Sequence, residues 1–66
     1  MAVCYDKLMH LLIDRRISHP ELAEKAGFSG NVMTKIRRNQ GISLESIEKI
    51  CRALDCTVDD ILEFID

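Results

Sequence analysis

The sequence predicts a small all-α domain built from five short helices. Apolar residues recur at three- and four-residue spacing through most of the chain, serine or threonine stands ahead of four such stretches, and glycine and asparagine separate them. No run of strictly alternating polar and apolar residues supports a strand.

Tyr5, Leu8, Met9, Leu11, Leu12 and Ile13 place one apolar face on a first helix at about 4–16. Arg15 and Arg16 suit its end, where cations meet the negative pole of the helix dipole. Ser18-His19-Pro20-Glu21 then reads as a capping box, with Glu21 three residues after the serine. Proline fits the first turn of a helix, because its missing N–H would be unpaired there anyway. The second helix therefore runs over 19–26 and stops at Gly27, a residue that enters the left-handed region without a Cβ penalty.

Ser29 reads as the cap of a third helix reaching about Arg38, and Asn39-Gln40-Gly41 breaks it. Ser43 caps a fourth helix with the apolar stripe Leu44, Ile47, Ile50, Cys51 and Leu54. Thr57-Val58-Asp59-Asp60 offers a second box-like cap, before a short fifth helix carrying Ile61, Leu62, Phe64 and Ile65. Loops of a few residues between short helices fit a compact helical packing.

Sixty-six residues make a single domain, 1–66. A chain of this size buries only about 60% of the surface it exposes when unfolded, so all its elements must share one core. With Tyr5, Phe28 and Phe64 as the aromatics, aliphatic side chains and methionine must supply that core. No apolar run approaches the roughly 20 residues needed to cross a bilayer. Asp6, Lys7 and His10 interrupt any signal-peptide pattern, so the expectation is a cytoplasmic protein without a membrane partner. Cys4, Cys51 and Cys56 form an odd set without metal-pair spacing, and they read as small apolar thiols in helical stripes. No metal, cofactor or small-molecule ligand is expected. Nor is an enzyme, since neither a phosphate-cradling loop nor a paired-carboxylate pattern is present.

The net charge of −2 is unevenly spread. Residues 1–28 balance to zero, while 29–42 carry Lys35, Arg37 and Arg38 with no acid. Residues 43–66 set Lys49 and Arg52 against seven acids. One segment is thus locally basic in an acidic chain, and the local field is what a polyanion meets first.

That segment closes the stretch HPELAEKAGFSGNVMTKIRR, residues 19–38. Two helices crossing steeply need a tight turn and a small contact. Gly27 supplies the turn, and Ala23 offers only a methyl group to the neighbouring helix. Leu22, Ala26, Phe28, Met33 and Ile36 read as the shared apolar seam. Together with the tail SLESIEKICRALDCTVDDILEFI, this pattern resembles the Cro/repressor-type helix-turn-helix family. These are the five-helix, lambda-repressor-like domains also grouped as XRE-type, and the likeness is to a compact stand-alone subgroup.

The resemblance implies binding to double-stranded DNA, often as a dimer, in transcriptional control. It departs from the family's usual pattern at His19-Pro20, at Gly30 and at Arg37-Arg38, so the target sequence stays open. Within the third helix, Met33 and Ile36 face the core, and Asn31, Thr34, Lys35 and Arg38 form the opposite stripe. Asparagine can pair with adenine and lysine with guanine in the major groove, and a threonine methyl can meet thymine. Arg37, Arg38, Asn39 and His19 suit phosphates, which set register without carrying sequence information. Ser29 and Gly30 at the helix entry complete the candidate DNA-binding set. The expected homodimer is assigned to the apolar end, Val58, Ile61, Leu62, Phe64 and Ile65. The alternative function is a protein-interaction or antitoxin-like module on the same fold with little DNA binding, suggested by the acidity and by Gly30.

Overall fold

The computed structural model describes residues 2–66. Its elements are β1 (Ala2–Cys4), α1 (Asp6–Arg15), α2 (His19–Ala26), α3 (Gly30–Arg37), α4 (Leu44–Leu54), a 3₁₀ turn at Val58–Asp60, and β2 (Glu63–Ile65). The four α-helices correspond to the first four expected. The fifth helix is absent, and the chain ends are joined instead in a two-stranded antiparallel sheet with Val3 opposite Phe64.

The correction has a physical cause. The Thr57 box holds just one turn: Asp60 accepts from the Thr57 N–H at 3.0 Å, and Ile61 at φ −121° has already left helical geometry. The remaining Glu63-Phe64-Ile65 is rich in β-formers and finds a partner strand. At the other end Cys4 and Tyr5 precede α1 rather than belonging to it, so Cys4 lies in a strand and not in a helical stripe. Cys56 likewise follows the end of α4.

Where local signals were strong, the helix ends match them. Ser18 and Glu21 form both halves of the capping box, with the serine hydroxyl accepting from the Glu21 N–H at 3.2 Å. Ser43 caps α4 by accepting from the Ser46 N–H at 3.2 Å. Gly27 closes α2 at φ +78°, in the region that favours glycine. Arg15, expected to serve the end of its own helix, also reaches across the molecule and donates to the Leu54 carbonyl at the end of α4. That carbonyl is one of the groups a helix terminus leaves without an internal partner.

The core is formed by Tyr5, Leu8, Leu12, Leu22, Met33, Ile36, Ile50, Leu54, Ile61 and Leu62. Each α-helix contributes to it, so no helix can be removed without opening it. Ile61 and Leu62, expected on an outer interface, are therefore buried core residues. Short of a helix to carry them, the segment after the 3₁₀ turn folds them inward into that cluster. Among the described residues, no helix is long and apolar enough to cross a membrane.

Candidate nucleic-acid interface

α2 and α3 meet through the turn at Gly27, whose N–H donates to the Ala23 carbonyl at 2.9 Å; the Phe28 N–H shares that acceptor at 3.2 Å. The chain reverses within three residues and enters α3 at Gly30. Ser29 stands at the N-cap position, but its hydroxyl makes no capping hydrogen bond. That differs from Ser18 and Ser43, and it leaves a hydroxyl and the first N–H groups of α3 available to an anion.

On α3, side chains advance by about 100° per residue. Met33 and Ile36 are buried, with Val32 half-buried beside them. Opposite lie Asn31, Lys35 and Arg38, all exposed, and Thr34, half-buried. The Thr34 hydroxyl is turned back on its own helix, donating to the Gly30 carbonyl at 3.1 Å. Its methyl is then the group with freedom to contact a ligand. Arg37 lies off this stripe, on the side facing the start of α2. It borders one shallow crevice with His19, Pro20, Ala23, Gly30, Met33 and Thr34. A second crevice joins it to Ile13, Ile17, Ser18 and His19.

The structure thus brings together His19, Gly30, Thr34 and Arg37 around the junction of two helix N-termini. Pro20, which sequence reasoning used only as a helix-start signal, lies in the same crevice. The sequence did hold a clue: a proline fixed at a helix start puts its ring beside the first exposed N–H groups. Asn39 is placed differently. It is exposed, but its φ of +54° ends α3, and its Oδ1 accepts the main-chain N–H of Tyr5 at 3.1 Å. Its side-chain carbonyl is thereby engaged within the fold.

Local charge favours the same face, because residues 29–42 hold three cations and no acid. Among the described residues the ion pairs are Lys49–Glu45 and Arg52–Glu48, both within α4. The acid-rich C-terminal half partly neutralises its own cations, whereas Lys35, Arg37 and Arg38 have no carboxylate within ion-pair distance. These three cations at the end of α3, with Arg37 also beside the start of α2, make a surface for a polyanion.

Residues 7–66 match the model of the Cro/C1-type HTH DNA-binding domain. The chain belongs to that family. This Cro/C1-type domain is similar to the uncharacterized HTH-type transcriptional regulator YozG of Bacillus subtilis (strain 168), with 34% identity over 56 residues, covering 82% of this chain and 67% of the relative. It is also similar to the crystal structure of the transcriptional regulator VanUg (Form II), with a TM-score of 0.90 and 40% identity over 94% of this chain and 83% of the other. The Cro/C1-type domain is therefore a mostly helical helix-turn-helix unit of four α-helices, with the small sheet in place of the expected fifth helix.

Proposed function

We propose that this Cro/C1-type domain is a sequence-specific transcriptional regulator, acting as a repressor, which lays α3 in the major groove of double-stranded DNA. The observation that carries the reading is the stripe of exposed Asn31, Lys35 and Arg38 with half-buried Thr34, and Arg37 beside it as a third cation without an ion-pair partner. An α-helix fits the major groove, and Asn31, Thr34 and Lys35 suit base edges there. Arg37, Arg38 and the N-termini of α2 and α3, with His19, Ser29 and Gly30, serve the flanking phosphates. Asn39 adds its remaining amide group at the far end of the helix. Both similar proteins are named as transcriptional regulators, which supports the same role.

The regulator acts as a homodimer in this reading. Leu44 is 82% exposed, Phe64 66% and Val58 49%. All three border one apolar groove with Val3, Ile42, Ile47 and the edge of Leu62. This replaces the interface expected from sequence: Val58 and Phe64 stay, Leu44 joins, and Ile61 belongs to the core. Ile65, 45% exposed, follows Phe64 in β2 but does not line the groove. Two recognition helices that read successive half-sites must stand about 34 Å apart, one turn of DNA, and a two-fold pairing is what such spacing calls for.

Selection from a random duplex pool, followed by sequencing, tests the reading. A single enriched motif with two inverted half-sites supports it. Failure to retain any duplex at about 50 mM salt, where six to ten phosphate contacts would bind tightly, overturns it in favour of a protein-interaction module.

A further inference from the structure

Helix α4 ends in a motif that places two thiols side by side. Asp55 adopts the left-handed conformation at φ +52°, and the Cys56 N–H donates to the Cys51 carbonyl at 3.0 Å. This is the six-to-one bond of a Schellman ending, which commonly brings together the side chains at its two ends in an apolar contact. Here both of those side chains are cysteines. Each is half-buried and packs against the same core cluster. Cys56 also opens onto a shallow surface hollow with Lys7, His10, Arg15, Asp59 and Asp60. Cys4 is buried in β1 and forms no part of this arrangement.

We propose that Cys51 and Cys56 are a modification site, a dithiol that closes reversibly to an intramolecular disulfide with low-molecular-weight disulfides. Their separation of five residues and the shared hydrogen-bonded turn hold the sulfurs at one end of α4. Burial, then the neighbouring Cys51 and Asp60, pushes the Cys56 thiol up to about 11, with Arg15 pulling the other way. Cys56 thus stays protonated near neutrality and must give up its proton before it can attack.

The step balances as an exchange. Cys51 gives its proton to solvent, and its thiolate attacks a small disulfide, expelling one thiolate that takes up a proton. Cys56 then loses its proton, attacks Sγ of Cys51 and expels the second small thiolate, which is protonated in turn. The two protein thiols lose two electrons, and the small disulfide gains them. The product ties the last turn of α4 to the segment that carries Ile61 and Leu62 into the core.

The test uses the full chain equilibrated in glutathione redox buffers, then blocked with an alkylating reagent and digested with trypsin. Cleavage after Lys49 and Arg52 separates the two cysteines, so the bond joins the peptide 50–52 to the peptide 53–66. The expected result is that linked pair, lost on reduction, on a chain that runs as a monomer in a non-reducing denaturing gel, with Cys4 alkylated. Cys4→Ser should form the link unchanged, and the same buffer with guanidinium-unfolded chain should give at least a threefold smaller oxidised fraction. Separate alkylated peptides across all buffers, a link through Cys4, a link only between copies, or an equal yield in the unfolded chain would overturn the proposal.

Discussion

The main-chain N–H of Tyr5 donates to Oδ1 of Asn39 at 3.1 Å, tying the start of α1 to the residue that ends α3. The same tyrosine, 1% exposed, donates its hydroxyl to the Gln40 carbonyl at 2.8 Å. One buried residue thus fastens the loop behind the recognition helix at two points. Gln40 in turn donates its N–H to the Lys35 carbonyl at 2.8 Å, so the latch reaches into the last turn of α3.

Tyr5→Phe keeps the buried ring and removes one hydrogen bond, leaving the Gln40 carbonyl without its partner. The expected cost is about 1 kcal/mol, read as a fall in Tm of about 4–8 °C in a thermal melt. An unchanged Tm would show that the hydroxyl contributes nothing.

Burial also holds the Tyr5 phenol above its ordinary pKa of 10.0. A group whose folded pKa is raised adds stability that is complete below the unfolded value and fades as pH rises through the folded one. Stability should therefore drop above about pH 10. Tyr5→Phe should lose that tyrosine-linked part of the decline when denaturation midpoints are compared across alkaline pH. Asp60 gives the opposite sign, since the Thr57 N–H and hydroxyl hold its carboxyl below the usual 3.8. Its contribution is present above that value and fades as the medium is acidified through the lowered one. Asp60→Asn should flatten that acid limb.

Arg38→Ala should weaken binding to all duplex sequences alike and reduce the slope of log affinity against log salt by about 0.9. Asn31→Ala should instead cost about 1–3 kcal/mol at one base pair and leave the salt slope unchanged. Titrating both variants against a matched and a scrambled duplex at three salt concentrations separates the roles. If neither change alters an isotherm, the exposed stripe of α3 is not the docking face.

Gly27→Ala forces a Cβ into φ +78°. Beyond its two chain neighbours no heavy atom of the described residues lies within 4 Å of the added carbon, so the penalty is one of backbone conformation alone. About 1 kcal/mol of destabilisation is expected by chemical denaturation, with the denaturant dependence unchanged. A much larger loss would mean that the turn also depends on close packing.

Ser18→Ala removes one half of the capping box at the start of α2. About 1 kcal/mol should be lost, because the Glu21 N–H keeps no side-chain acceptor. Ser29→Ala should cost far less stability, since its hydroxyl caps nothing, yet it should weaken DNA binding if that hydroxyl meets a phosphate. Comparing melts and binding for the two serines distinguishes a fold-holding cap from a ligand-facing one.

The sequence by itself determined the four helices, two of their side-chain caps, the Gly27 turn and the exposed stripe of α3. Each rests on residues no more than four apart, so the signal lies in the local chain. Tertiary structure alone decided the pairing of Val3 with Phe64, the inward turn of Ile61 and Leu62, the latch from Tyr5 to Asn39, and the reach of Arg15 to α4. These join positions more than thirty residues apart or depend on what a whole core leaves uncovered. Strands of three residues are too short to show alternation, and a short apolar tail reads equally well as a helix until a partner strand supplies its hydrogen bonds.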